Sequence, residues 1–551
     1  MARNKIVEAD GRDSCKNTGL KMLALTFIFI TLLIPNRLGS ISPSAFDRFP
    51  LEALFLGLIL LVPGRLGLAF RGLAALVLAA GILCKIADIC TYQVFGRPFN
   101  PVLDANFPRD GMNFLQGALG RFGALLAAVL LAALPAGIVV LAYMALGQAQ
   151  ALWRVRPKVR DSVLLAGMLI WTASSFAGWL KTSTPFYELM ARHASDASAS
   201  LADLEAFNAA AALDPSVVMP DSSLFDKLKG KDVLVVFIES YGRTVLDKAD
   251  FAAHVRPLLE QSSANLAAKG FLARSAYLTS PTYGGISWLA HGTLLSGLWI
   301  DSQTRYDRLV LSERQSLNRL FKRAGWRTVA VQPAHTMDWP QGKYFGYDRI
   351  YAAKDLGYRG QPFNWITMPD QYTLSAFQSL ERKPAVRTPV MAEIALLSSH
   401  APWTPLPLLV DWNQVGDGAI FNRQARVGDE PEAVWRNTGR IREQYRKSIE
   451  YALATIVSYV INHGGDNLVI LALGDHQPAP FVTGESESRE VPVHLISRDA
   501  KVMAAVQGWQ WTEGMLPAGN APVWGMDSVR ERLIAAFSAP TPGFANLRAP
   551  R

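Results

Sequence analysis

Three apolar runs in the second half of the chain each stop at residues capable of chemistry. Val233 to Ile238 is followed by Glu239-Ser240, Met391 to Leu397 by Ser398-Ser399-His400, and Leu468 to Leu473 by Gly474-Asp475-His476. Each taken alone reads equally as a turn or a packed loop residue, but their recurrence at three run ends points to one site. Carboxylates and imidazoles together can hold a divalent cation, a set suited to manganese, magnesium or zinc. A further segment, SPTYGGISWLAHGTLLSG from Ser280 to Gly297, adds hydroxyls. Gly284 and Gly285 let backbone come close to a ligand, and the apolar pattern from Ile286 predicts a helix start. A hydroxyl there would sit beside helix-end amides that favour a phosphate or sulfate group. Thr282 in this segment is either a helix cap or a nucleophile.

These residues need elements to position them. Val233 to Ile238 is apolar throughout, as a strand buried on both faces must be. LSERQSLNRLFKRAGW reads as an amphipathic helix with a glycine stop, followed by the strand TVAVQ. MAEIALL, a long helix from about Pro431 to Asn462, LVILAL and VPVHLI continue the series. Alternating helices and strands predict an α/β domain with a mostly parallel sheet and helices on both faces. Ligands of such sheets gather beyond the carboxyl ends of the strands, where the candidate residues fall.

The first third of the chain is different. Of 551 residues 50% are apolar and 18% charged, against about 25% charged in soluble domains. The deficit is confined to apolar segments, which excludes a wholly soluble protein as well as a collagenous, coiled-coil or largely disordered one. A membrane span needs about 20 apolar residues, and five are expected: 20–38, 51–68, 72–95, 122–147 and 162–180. The chain divides accordingly into a transmembrane domain over 1–183, a connecting helix and linker over 184–230, and a catalytic domain over 231–551. The excess of 55 Lys plus Arg over 46 Asp plus Glu shows no basic stripe interleaved with aromatics, so nucleic acid is not an expected partner. Basic residues cluster instead in the N-terminal tail, at Arg65 and Arg71, and in WRVRPKVR (Trp153 to Arg160). Lys and Arg in short loops mark the cytoplasmic side, so everything past Lys181 is expected outside. The only cysteines, Cys15, Cys84 and Cys90, leave the catalytic domain without disulfides. Lys85 and Asp88 lie one turn apart near the end of the third span, where charge either snorkels as a pair or marks function.

A strand ending in Glu-Ser, a Thr before a helix, Ser-His-x-Pro and a late Gly-Asp-His, in that order, resemble the alkaline phosphatase superfamily. The likeness is to its lipoteichoic acid synthase and phosphoethanolamine transferase branch. GDH and SHAPW are its sharpest matches, and five spans followed by an extracytoplasmic sulfatase-like domain are that branch's architecture. The resemblance implies one divalent metal, manganese or zinc with magnesium also possible, bound by Glu239, Thr282, Asp475 and His476. Thr282 would also be the nucleophile, preferred over Thr279 and Ser280 for its offset to Ser287-Trp288. His400 would touch the substrate phosphate, and Trp339, in the stretch DWPQGKYFGYDRIY, would line the substrate site. A second metal is not expected, because the next histidine, His494, falls inside a strand.

The implied activity is a membrane transferase. It would move phosphoglycerol or phosphoethanolamine from a phospholipid headgroup to an envelope glycan or lipid through a phosphothreonine, at the inner (cytoplasmic) membrane with the catalytic domain periplasmic. The rivals are a sulfuric or phosphoric ester hydrolase on the same metal site and a catalytically silent membrane protein. A formylglycine sulfatase needs Cys or Ser in C/S-x-P/A-x-R, an arrangement that SPTYG lacks.

Overall fold

The computed structural model describes residues 2–105, 107–154, 162, 172, 182–336, 339–384, 386–484 and 488–540. The chain forms two compact units, one of residues 1–92 and 97–203 and the other of 93–96 and 204–551. The first contains α1 (Ala2–Leu33), α2 (Leu51–Leu60), all but the last turn of α3 (Gly64–Phe95), α4 (Phe107–Arg154) and the first part of α5 (Pro185–Ala212). Among the described residues, Gly64–Phe95 and Leu119–Ala151 are long and apolar enough to cross a membrane, and Thr18–Leu33 and Leu51–Leu60 are shorter apolar helices. The segment expected to span over 51–68 is divided: α2 ends at Leu60 and α3 starts at Gly64. Pro63 is the cause, since it lacks an N–H and disfavours helical backbone in the residue before it, and Gly64 follows at φ 70. The segment expected over 162–180 lies outside the described residues apart from 162 and 172.

Lys85 and Asp88, both buried, take separate partners. The Lys85 Nζ donates to the carbonyls of Thr31 (2.6 Å) and Leu32 (3.2 Å). Asp88 accepts from Asn36 Nδ2 (2.6 Å) and the Phe99 amide (2.9 Å) and lies 3.1 Å from His193 Nε2.

The second unit is built on a nine-stranded sheet. Its strands are β1 (Asp232–Ile238), β2 (Leu272–Thr279), β3 (Arg327–Gln332), β4 (Arg349–Ala352), β5 (Val390–Leu396), β6 (Leu468–Gly474), β7 (Glu490–Ser497), β8 (Thr512–Glu513) and β9 (Val523–Gly525). The order is β8-β2-β7-β6-β1-β5-β3-β4, with β9 beside β2. From β6 to β4 all pairs are parallel. The VPVHLI strand, β7, runs antiparallel to both neighbours. Between Gly474 and Glu490 the described residues hold only the short helix Pro480–Thr483, whereas parallel neighbours are usually joined by a longer crossover helix. The expected α/β class thus holds, with an antiparallel flank added to a parallel centre.

Every residue of β1, β5 and β6 is buried, as their unbroken apolar runs require. They are adjacent, and Ile238 pairs with both Leu396 and Gly474. The three chemistry-bearing ends therefore emerge side by side. Gly474 is required where β6 ends, because a Cβ there would lie 1.9 Å from the Tyr241 carbonyl oxygen.

Candidate active site and metal centre

Glu239, Asp475 and His476 converge at these strand ends, all buried, with ligand atoms within 4.8 Å of one another. The His476 Nε2 lies 3.3 Å from Glu239 Oε1 and 3.6 Å from Asp475 Oδ2. Each side chain is held from behind. Asp475 Oδ1 accepts from the amides of Ser240 and His476, both at 2.7 Å. Ser240 Oγ donates to Glu239 Oε1 at 2.9 Å, and the Ser399 hydroxyl donates to the Glu239 carbonyl at 2.6 Å. His476 Nδ1 faces the Gln477 carbonyl at 2.8 Å, which fixes its proton there and leaves Nε2 as the ligand nitrogen, the usual arrangement of a metal-bound histidine.

The electrostatics also fit a cation. Burial, joined by the charge of Glu239, pushes the Asp475 carboxyl up to about 6. Burial would lower His476, but Asp475 and Glu239 outweigh it and raise the imidazole to about 9. Burial would likewise raise Glu239, yet His476 and His400 hold it below the usual carboxylate range. Two buried carboxylates face one imidazole here, and a divalent ion would balance their charge. The donor set, two carboxylates and one imidazole nitrogen, suits such an ion.

The hydroxyl that meets this cluster belongs to Ser287. Its Oγ donates to Glu239 Oε2 at 3.0 Å and lies 3.2 Å from His476 Nε2. After α6 (Ala249–Ala268), Ser287 is the first residue of α7 (Ser287–Ser296), and a left-handed Ile286 at φ 63 occupies its cap position. The Oγ1 of Thr282, expected as nucleophile and ligand, is buried without a hydrogen-bond partner. Its two rivals take other partners. Ser280 Oγ donates to the Asp475 carbonyl at 2.5 Å, and Thr279 ends β2 opposite Glu490. The two glycines after Thr282, at φ 74 and 150, extend the chain and delay the helix until Ser287.

A cavity of about 270 Å³ opens on the cluster, with Glu239, Ser287, Trp339, His400 and Asp475 in its wall. His400 Nδ1 lies 2.6 Å from the Ala401 carbonyl, leaving Nε2 available to a substrate. Trp339 meets the ring of His335 edge-on at 5.0 Å. Residues that sequence reasoning passed over also line the cavity, among them His291, His335 and Glu393. The His291 Nδ1 lies 2.6 Å from Glu393 Oε1, Gln332 Nε2 donates to the same oxygen at 3.2 Å, and the Tyr347 hydroxyl donates to Oε2. The available signal was the spacing of Ser287 and His291, four apart and so on one helix face. His494 stays apart from the site, between Ser275 Oγ (2.7 Å) and the Tyr241 hydroxyl (3.1 Å), and burial lowers it to about 3.

Residues 231–496 match the model of the Sulfatase family. Among solved structures, the lipoteichoic acid synthase LtaP from Listeria monocytogenes is 15% identical, with 58% of this chain and 74% of that one covered and a TM-score of 0.37. The C-terminal periplasmic domain of EcEptC from Escherichia coli, in complex with Zn, is 14% identical over 57% of this chain and 84% of that one, with a TM-score of 0.39. The Streptococcus pyogenes phosphoglycerol transferase GacH, in complex with sn-glycerol-1-phosphate, is 13% identical over 63% and 84%, with a TM-score of 0.37. No curated protein matches the chain significantly. Glu239, Ser287, His400, Asp475 and His476 all fall within the segment that matches the Sulfatase family model.

Proposed function

We propose that this chain is a metal-dependent, membrane-bound transferase that moves a phosphoglycerol or phosphoethanolamine group from a phospholipid to an envelope glycan or lipid. The reading rests on one observation: a serine hydroxyl at a helix start lies within hydrogen-bond reach of a buried carboxylate and imidazole that, with Asp475, suit a divalent ion. The nucleophile is therefore Ser287, and the covalent intermediate a phosphoserine ester. The ion is manganese or zinc, with magnesium compatible with the oxygen ligands. When bound it supplies positive charge that lowers the pKa of a neighbouring hydroxyl and offsets charge on phosphoryl oxygens.

The residues of the chain do the remainder. Glu239 accepts the Ser287 proton as the Oγ–P bond forms and the bond from phosphorus to the diacylglycerol oxygen breaks. His400 Nε2 protonates that departing oxygen, and diacylglycerol leaves. The acceptor hydroxyl then attacks phosphorus, its proton passing to His400, and the Ser287 oxygen departs and regains a proton. The first amides of α7 face the anionic group. A two-step route lets the lipid product leave before the acceptor enters. The catalytic domain lies outside the cytoplasm, on the side opposite the basic loops.

The purified full chain, incubated with labelled phosphatidylglycerol or phosphatidylethanolamine, should release diacylglycerol. Ser287→Ala should abolish release, and Thr282→Ala should retain it. Mass spectrometry of the Ser275 to Arg305 peptide should find the added group on Ser287. A modified Thr282, or turnover by Ser287→Ala, would overturn the assignment, and release of free glycerol phosphate with no acceptor product would make the enzyme a hydrolase.

A further inference from the structure

The membrane unit has an open cavity of its own, about 360 Å³, lined by residues between Leu33 and Arg48, by Lys85 and by Ser183 with the start of α5. That volume is within the range of small-molecule sites, roughly 300–1,000 Å³. Its wall is polar for a membrane protein, with Lys85, Arg48, Glu188 and the serines 40, 42, 44 and 183.

Two groups in this wall are incompletely matched. Lys85 is 5% exposed, and its ammonium donates only to two carbonyls at the end of α1. Among the described residues it forms no ion pair, because the nearby Asp88 is committed to Asn36, Phe99 and His193. An ammonium has three donors; the Glu52 carboxylate acts on this one only through space and the Phe186 ring lies 5.7 Å away, so a buried cation here lacks an anion in direct contact, which is costly. The Ser183 Oγ is also buried, with no hydrogen-bond partner. Both lacks would be met by one anion with several acceptor oxygens. Glu188, on the wall with them, accepts from Thr184 at 2.9 Å and has capacity for a further donor. Leu38, Ile41 and Phe46, on the loop that lines the cavity, are exposed. The basic-loop pattern places residues 33–48, the end of α3 and the start of α5 on the extracytoplasmic side.

We propose that this cavity holds the headgroup of an outer-leaflet phospholipid, with Lys85, Arg48 and Ser183 on the phosphate and Glu188 on a headgroup hydroxyl or ammonium. Glycerol and ethanolamine headgroups carry such donors, and choline carries none. The inference rests on the donor being a phospholipid, but the two readings fail separately, since lipid retention needs no Ser287.

The test is native mass spectrometry of the full chain in detergent, with phosphatidylglycerol, phosphatidylethanolamine, phosphatidylcholine or inorganic phosphate added singly. Phosphatidylglycerol and phosphatidylethanolamine should be retained at least tenfold better than phosphatidylcholine. Lys85→Gln and the half-exposed Arg48→Ala should each reduce that retention about tenfold, and Ser287→Ala should leave it unchanged. Undiminished retention in both cavity variants would overturn the proposal, as would equal retention of phosphatidylcholine. Lys85-dependent binding of inorganic phosphate without binding of either lipid would also overturn it, by making the cavity a free-anion site.

Discussion

Asp370 opens α8 (Asp370–Phe377) and is completely buried. Its Oδ1 accepts from the amides of Leu397 (2.7 Å) and Ser398 (2.9 Å), the residues that lead into Ser399 and His400. Its Oδ2 is buried without a partner. Burial raises this carboxyl from 3.8 to about 6, with Glu239 adding to the shift and the two amides opposing it. Because the folded value lies above the unfolded one, the protonated form is the one that folding favours. The associated stability is fully present below pH 3.8 and is lost as pH rises through about 6. At about 1.4 kcal/mol per pH unit, that gap is worth roughly 3 kcal/mol. Asn at this position keeps an acceptor for both amides and cannot ionise. The stability of Asp370→Asn relative to the wild type should therefore rise by about 2.4 kcal/mol between pH 4 and pH 7, since at pH 4 the unfolded carboxyl is already partly ionised. At roughly 2 °C per kcal/mol for a large domain, the midpoints should separate by a further 5 °C or so in the variant's favour. Thermal melting of the two full-length proteins across that range reads the difference directly, and the metal ligands, common to both, cancel. Parallel midpoint curves would refute the reasoning, since they would mean that no proton is exchanged at Asp370.

The metal centre and its surroundings give further expectations. Asp475→Ala or His476→Ala should lose the divalent ion and activity together; elemental analysis that finds full occupancy in the double variant would exclude these ligands. His400→Ala should lower turnover by about 10²-fold or more, in the range of general acid–base catalysis, with metal content unchanged. Glu393→Gln should cost about 1–3 kcal/mol of stability, because Gln offers a donor where Tyr347 and Gln332 already donate; metal content should stay full, and an unchanged melting midpoint would count against the buried contacts of Glu393.

The parts of this site that were legible in the sequence share one physical origin. A strand buried on both faces must be apolar throughout, so its end is marked by the first polar residue, and in a parallel sheet that end is where ligands collect. Glu239, His400, Asp475 and His476 could be found in this way without knowing which strands are neighbours. The direction of β7 was hidden, because an apolar run reads the same whichever way its strand points. The pair His291 and Glu393 was hidden for a related reason. Glu393 sits inside β5, within a run that otherwise reads as core, and only the fold brings α7 over it.

The hydroxyl that meets the carboxylate cluster shows the limit of local reasoning. Ser and Thr favour the cap position of a helix, so Thr282 before an apolar stretch is an attractive choice. In the structure the cap is Ile286, left-handed at φ 63 and ψ 45, a conformation that costs a branched side chain on the order of 1–2 kcal/mol. No propensity rule would choose that residue for that place. The turn nevertheless sets Ser287 as the first helical residue, with its hydroxyl 3.0 Å from Glu239 and its side chain on the face shared with His291. A helix begun at Thr282 would carry a different hydroxyl, and residues 287 and 291 would lie more than a turn into it. Strained backbone of this kind persists where surrounding structure over-determines it, and here the determinants are the buried strand ends on one side and Gly284 and Gly285 on the other. Which hydroxyl meets Glu239 and His476 is therefore decided by a turn whose cost appears only in three dimensions.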